Sequence, residues 1–210
     1  MSVVDELRNE LDEEIRWRID EISVLKTIPY LYKVSEKQKT ILEKYSIPSL
    51  YALWEGFVVK SFEIYSRKLN ELSLDMENVH PNILTHDLDM KKRLKDGRVS
   101  ALKQIEFTLD LKTYFSSEFK ISGKVPTKSN VGFSTINNIL QRFNLEKFEK
   151  REFKHKMWKL LKYRNDIAHG ESSLHVDKDI VLEMSRIVIE CMDKLYDILE
   201  HSIIYRTYLK

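Results

Sequence analysis

The sequence is poor in the residues that make tight turns and covalent cross-links. It contains five glycines and four prolines among 210 residues, which is too few for a chain rich in hairpins. Its single cysteine, Cys191, excludes a disulfide within the chain. Because so little in the composition favours turns and strands, helix is the default interpretation of the secondary structure.

Long apolar runs and an excess of one charge are also lacking. Charged residues interrupt every apolar run well short of the roughly 18 residues that a membrane-spanning helix needs. The N-terminus lacks the order of basic, apolar and small residues that marks a signal peptide, so we expect a cytoplasmic protein without membrane contact. The 35 basic residues nearly balance the 33 acidic ones, and any contact with RNA must therefore come from a local patch.

Apolar residues recur at helical spacing along most of the chain, which predicts an all-α fold. We expect helices over 3–25, about 35–74, 134–143, about 145–169 and from 177 onward. The residues expected to end, kink or cap these helices are Pro29, Ser46, Pro48, Ser134, Gly170 and Asp177. The pattern weakens over about 75–128, which we interpret as an insertion of short helices and loops within a single domain spanning 1–210.

One short segment at a predicted helix end combines a cation, an amide, a carboxylate and an imidazole: Arg164, Asn165, Asp166 and His169. Asn165 and His169 are four residues apart and share a helix face. Arg164 lies about 140° around the helix from His169, a gap that its long side chain partly covers. The negative end of the helix dipole favours a protonated imidazole at His169, as a general acid requires.

These residue types suit cleavage of RNA by its own 2′-hydroxyl. That reaction needs a base, an acid and positive charge against the transition state, and arginine and histidine supply them without a metal. Arg164 is the candidate for the stabilising charge and His169 for the acid or base. Asn165 is assigned a supporting role in holding the imidazole or a phosphate, and Asp166 one in orienting Arg164 or His169.

The run from Arg164 to His169 resembles the motif of the HEPN superfamily, with closest likeness to the prokaryotic RiboL-PSP-HEPN group. Two further stretches are similar to that group: the aromatic-Glu-Gly-Phe helix at 51–57 and the short helix at 130–145. The resemblance implies an up-and-down helical bundle that forms a homodimer with a composite RNA-cleaving cleft. It also implies no metal or other cofactor, a role as a toxin or anti-phage defence effector, and restraint by an antitoxin or another regulatory protein.

Less specific interpretations of the same residues remain open. Arg164 and His169 are also compatible with a plain helix end, in which His169 bonds the last carbonyls and Arg164 pairs with Asp166 or another surface carboxylate. The chain would then be a catalytically inactive module that binds RNA, a nucleotide or a regulatory protein, or a structural dimerisation domain.

Several other residues are candidates for supporting the site. Glu55 lies within an apolar stretch and needs a partner, for which Arg164 is a candidate. Trp54, Phe57 and Phe62 are expected in the core rather than stacked on bases. A basic cluster is a secondary candidate for RNA binding, although such runs are more often solvated surface; it consists of Lys91, Lys92, Arg93, Lys95 and Arg98.

The remaining histidines show no spacing typical of a metal site, and none is predicted. His155 and His175 are expected near the cleft if their helices flank it.

Overall fold

The structure, a computed structural model, describes residues 2–92, 100–116, 118–171 and 174–210. Within these ranges it contains α-helices and one short 3-10 helix, and no named strand. The helices are α1 (Val3–Leu31), α2 (Glu36–Glu71), α3 (Pro81–Lys92), α4 (Ala101–Phe115), α5 (Phe133–Arg142), α6 (Lys150–Ala168) and α7 (Lys178–Tyr205), with the 3-10 turn at Met76–Asn78. The prediction of an all-α fold is confirmed.

The core lies between four long helices. α2 contacts α1, α6 and α7, and α1 also contacts α7, which gives the up-and-down bundle that the resemblance implied. Trp54, Phe57 and Phe62 of α2 are fully buried, so their assignment to the core is confirmed. α2 is therefore the central element on which the other helices pack.

Helix caps explain most of the observed boundaries. Asp177 accepts a hydrogen bond from the Ile180 backbone N–H and caps α7, as predicted. Gly170 has a φ of 76° and follows the end of α6, also as predicted. Ser35, which was not singled out, caps α2 through a reciprocal arrangement with Gln38.

Four of the predicted helix signals are wrong. Pro29 does not end α1 but lies buried inside its last turn, where the loss of one backbone hydrogen bond is offset by packing. α2 continues through Pro48, so the restart predicted there is wrong, while the alternative of a kink stays a prediction. Ser46 donates to the Glu43 carbonyl at 2.7 Å instead of capping a new helix. Ser134 lies inside α5, whose N-cap is Gly132.

The start predicted for α6, near residue 145, is also wrong, because the helix begins at Lys150. The preceding turn is closed by the Leu145 N–H, which bonds the Leu140 carbonyl at 2.9 Å.

The described part of the segment between α2 and α5 contains the short helices α3 and α4 and irregular chain, and its status as an insertion stays a prediction. It is tied to α2 by polar contacts. Asn70 accepts from the Ile121 N–H at 2.7 Å and donates to the Ile121 carbonyl at 3.0 Å. Near the end of this stretch, Tyr51 accepts from the Val131 N–H at 2.7 Å while Trp54 donates to the Val131 carbonyl at 2.9 Å. These contacts fix the chain that leads into α5.

No helix in the described part of the chain is long and apolar enough to cross a membrane.

Candidate active site at the end of α6

The predicted catalytic segment lies at the C-terminus of α6, and two backbone hydrogen bonds close the turn that follows it. The Gly170 N–H bonds the Ile167 carbonyl at 3.1 Å, and the Glu171 N–H bonds the Asp166 carbonyl at 2.9 Å. Together with the positive φ of Gly170 these bonds form a Schellman motif. Lys44 of α2 then donates to the Glu171 carbonyl at 2.8 Å, which anchors the chain beyond the turn. His169 therefore projects from a fixed backbone.

Arg164 is half-buried and held on two sides. Its Nη1 donates to Oδ1 of Asn165 at 2.9 Å, and its guanidinium carbon lies 4.9 Å from the centre of the Tyr51 ring. The second contact is a cation–π interaction, which favours a guanidinium in this orientation. The Arg164 side chain thus reaches back around α6 to Asn165, which occupies the same helix face as His169.

Tyr51 lies at the meeting point of α2, α6 and the chain before α5. Burial is the main reason that the pKa of its hydroxyl is raised, and the Val131 N–H acts against that rise. The Glu55 carboxylate raises the pKa of the Tyr51 hydroxyl further and the charge of Arg164 lowers it. Glu55 and Arg164 thus shift the pKa of the same hydroxyl in opposite directions.

The partners suggested for the two carboxylates differ from those observed. Within the described residues Glu55 forms no ion pair with Arg164, and its polar neighbour is the Tyr51 hydroxyl. Asp166 pairs with Lys162 one turn earlier, at 2.7 Å, and not with Arg164. Four-residue spacing favours that pairing within a helix. The plain helix-end interpretation paired Arg164 with Asp166 or with another surface carboxylate. The pair with Asp166 is not observed, and among the described residues Arg164 forms no ion pair with any other carboxylate.

His169 is exposed, and its imidazole has no hydrogen bond or ion pair to the residues that the structure describes. Its backbone N–H bonds the Asn165 carbonyl at 2.9 Å as the C-cap of α6. The imidazole is thus available for proton transfer at the surface, beside the Arg164–Asn165 pair. This arrangement offers one acid or base and one positive charge.

The other predicted residues are less directly placed. His155 lies on α6, on the same face as His169, whereas His175 is exposed and lies 3.4 Å from Asp177. In the basic cluster, Lys91 and Lys92 end α3, but their side chains, together with Arg93, Lys95 and Arg98, fall outside the described residues. Among the residues that are described, no group of three or more potential ligands is placed to hold a metal ion.

Two residues that matter to the site's geometry were not assigned a role from the sequence: Tyr51 and Lys44. Tyr51 precedes Glu55 by one helical turn, a spacing that would have pointed to a shared polar face. For Lys44 no signal in the sequence points to its contact with the distant Glu171 carbonyl.

The family model described as HEPN_MAE_28990-like HEPN matches residues 7–208. The chain belongs to this HEPN family. The match covers the bundle, Tyr51 and the whole segment from Arg164 to Gly170, so the predicted membership of the HEPN superfamily is confirmed. The narrower likeness to the RiboL-PSP-HEPN group stays a prediction. No curated protein and no solved structure matches the chain.

Proposed function

We propose that this HEPN protein is a metal-independent endoribonuclease that acts as a toxin or an anti-phage defence effector. One observation carries the proposal: the Arg164 guanidinium is held by Asn165 and Tyr51 beside the helix end from which the exposed His169 imidazole projects. Metal-free RNA cleavage requires positive charge, a base and an acid, and these two side chains supply the charge and one of the two proton-transfer groups.

In the proposed reaction the 2′-oxygen of the substrate attacks the adjacent phosphorus. A base removes the 2′-proton, and an acid protonates the departing 5′-oxygen, which leaves a 2′,3′-cyclic phosphate and a 5′-hydroxyl. Arg164 stabilises the negative charge that accumulates on the phosphoryl oxygens, because a guanidinium donates two hydrogen bonds and stays charged. His169 transfers one of the two protons.

A second proton-transfer group is supplied in the proposal by a second copy of the chain. Each chain offers one imidazole at the end of α6, whereas the reaction uses both a base and an acid. A homodimer in which two α6 ends face each other provides two histidines and two arginines, and its interface is isologous. RNA is the substrate, and an antitoxin or another regulatory protein is the proposed restraint on activity.

The proposal is tested by incubating total RNA with purified protein in EDTA. We expect wild type to cleave, and His169→Ala to lose about 10²–10⁴-fold in rate, the usual contribution of a general acid or base. Arg164→Ala is expected to lose about 10²–10³-fold, comparable to the loss of one oxyanion donor. His175→Ala is the matched control, because His175 is exposed on the loop before α7, and this variant should retain full activity.

Mixing of chains tests the dimer. Wild type titrated with His169→Ala chains should lose more activity than its dilution alone accounts for, since a mixed dimer keeps only one of the two imidazoles that the reaction uses. Wild-type protein that sediments as a monomer while cleaving RNA would contradict the composite site.

The second candidate function is a catalytically inactive module that binds RNA, a nucleotide or a regulatory protein through this surface. The contacts of Arg164 with Asn165 and Tyr51 support this alternative, because they stabilise the helix end whether or not the protein catalyses a reaction. Retained RNA binding without cleavage by the wild type, at any protein concentration, would select this alternative.

A further inference from the structure

The outward face of α6 carries a continuous stripe of side chains that leads to His169. Its members recur at spacings of three and four residues, which places them on one helix face. All are exposed except the half-buried Asn165. The stripe consists of Arg151, His155, Trp158, Lys162, Asn165 and His169. At about 1.5 Å per residue, Trp158 lies about 17 Å along the helix from His169.

Trp158 is the most distinctive residue of this stripe. Its side chain is 54% exposed, although tryptophan is normally well buried. The His155 ring stacks beside it, with centroids 5.6 Å apart and an interplanar angle of 25°. The two rings border an open, mostly apolar depression of about 520 Å³ whose lining residues all lie on α6, and this depression is called the groove below. A flat aromatic surface of this kind suits stacking by another planar group.

The charged side chains around the groove are all cations: Lys150, Arg151 and Lys154. In the part of the chain that the structure describes, none of the three has a carboxylate within ion-pair distance. Lysines on the other side of α6 behave differently, since Lys156 contacts Glu190 at 2.8 Å and Lys159 contacts Glu183 at 2.6 Å. The helix thus neutralises its cations where it faces α7 and leaves them unpaired beside the aromatic groove.

We infer that this face of α6 binds single-stranded RNA and directs it to His169. Bases stack on Trp158 and His155, and the backbone phosphates contact Arg151 and Lys154. Aromatic rings flanked by cations are the usual means by which proteins hold single strands without reading their sequence. In an A-form duplex the bases are stacked on each other and are not accessible to the rings of Trp158 and His155. This surface of α6 therefore favours a single strand over a duplex. The direction of the strand toward His169 rests on the proposed function, whereas the binding of the strand to α6 does not.

A second copy of the chain is a less favourable occupant of the groove. A two-fold contact centred on the groove would bring Lys150, Arg151 and Lys154 of both chains into one interface, and like charges gathered in an interface oppose association.

Binding is tested apart from cleavage, in chains that carry His169→Ala so that the RNA stays intact. The probe is a fluorescein-labelled single-stranded RNA of mixed sequence, long enough to span α6, followed by fluorescence anisotropy. We expect Trp158→Ala to raise the Kd about 5- to 100-fold, the effect of losing one stacked base. Trp158→Phe should recover part of that loss, and Arg151→Gln with Lys154→Gln should raise the Kd and flatten its dependence on salt.

The matched control is Tyr205→Ala. Tyr205 is also an exposed aromatic residue beside a histidine, His201, with ring centroids 4.1 Å apart, but it lies on α7. This variant should bind RNA as the unmodified background does. Circular dichroism verifies that each variant is folded.

The inference would be overturned by unchanged RNA affinity in Trp158→Ala, or by equal losses of RNA affinity in Trp158→Ala and Tyr205→Ala. It would also be overturned if Trp158→Ala converted a dimer to a monomer, since the groove would then be an interface between copies. Failure of the proposed function is recognised separately, because a chain that never cleaves RNA still gives a result in the binding assay. If the chain does cleave, Trp158→Ala should raise KM and leave kcat unchanged, since the groove lies away from the reacting phosphate.

Discussion

Tyr51 contributes to the site through two groups that are chemically separable. Its ring lies under the Arg164 guanidinium, whereas its hydroxyl accepts the hydrogen bond of the buried Val131 N–H. The ring therefore orients the proposed catalytic charge, and the hydroxyl supports the fold. Substitutions that remove one group or both distinguish these roles.

Tyr51→Phe is expected to lower the free energy of unfolding by about 1–3 kcal/mol, because the Val131 N–H loses its acceptor in a buried position. RNA cleavage should change little, since the ring stays beneath Arg164. Tyr51→Leu removes the ring as well, and a cation–π contact of about 0.5–2 kcal/mol corresponds to a loss of up to about 30-fold in kcat/KM. Urea titration and initial rates measure the two effects. Equal rates for both variants would show that the ring does not position Arg164.

His86 is a titratable group far along the chain from the motif, and it makes the fold sensitive to acid. The side chain is fully buried on α3, where Nε2 lies 3.1 Å from the Ser122 carbonyl and the ring lies 4.4 Å from Phe143. The pKa of His86 is lowered, mainly by burial and also by the charge of Arg142. The Ser122 carbonyl and the carboxylates of Asp87 and Asp89 act against this lowering.

The lowered pKa means that the folded chain keeps His86 neutral while the unfolded chain protonates it below about pH 6.5. This contribution to stability is complete above that pH and is lost as the pH falls toward the folded value. The free energy of unfolding should therefore fall between about pH 7.5 and about pH 5.5, by at most about 1.4 kcal/mol per pH unit from this group. His86→Phe should flatten the profile, whereas His175→Ala should not. The same slope in wild type and His86→Phe would refute the assignment.

At the scale of the helix, the end of α6 depends on a backbone conformation that only glycine adopts without strain. Gly170 has a φ of 76°, and the two hydrogen bonds of the Schellman motif depend on that conformation. The residue before it is His169, so strain at Gly170 is transmitted to the proposed catalytic imidazole.

Gly170→Ala is expected to cost about 1 kcal/mol in the free energy of unfolding, even though no atom lies within 4 Å of the added methyl group. Gly170→Asn should cost less, because asparagine tolerates the left-handed region. RNA cleavage should fall in the order wild type, Asn, Ala. A stability of Gly170→Ala equal to that of the wild type would contradict the proposed strain.

The helices were predictable because their signals are local. Apolar spacing located the long helices, and Asp177 and Gly170 marked boundaries through interactions with neighbouring residues. The prediction from Pro29 was wrong because the lost backbone hydrogen bond is visible in the local sequence, whereas the tertiary packing that offsets this loss is not. Ser46 misled in the same way, since its hydroxyl bonds a carbonyl within a helix that continues.

The residues of the motif were predictable, but their partners were not. Density of polar groups and the resemblance to HEPN proteins singled out Arg164 and His169. The contact between Arg164 and Tyr51 joins residues far apart in the chain, and so does the bond from Lys44 to Glu171. Such contacts depend on how α2 and α6 pack, which apolar spacing alone leaves undetermined.

At the scale of the molecule, positive and negative charge are separated although the net formal charge is only +2. Three cations without a carboxylate partner among the described residues, Lys150, Arg151 and Lys154, surround the groove on the outward face of α6, while acidic side chains gather where α6 meets α7. The acidic group includes Glu146, Glu149, Glu152, Glu190, Asp193 and Asp197. For the proposed RNA substrate, this separation of charge predicts attraction to the groove side of α6 and repulsion from the side that faces α7.

The chemistry of the cut ends tests the central claim most directly. A synthetic RNA is cleaved by wild-type protein in EDTA, and a matched RNA with a 2′-deoxy residue at the cleavage position serves as the control. We expect a 2′,3′-cyclic phosphate and a 5′-hydroxyl from the first RNA, no cut at that position in the second, and neither product with His169→Ala. Cleavage of the deoxy-substituted RNA, or products with a 3′-hydroxyl and a 5′-phosphate, would contradict a reaction in which the 2′-hydroxyl attacks and Arg164 and His169 assist it.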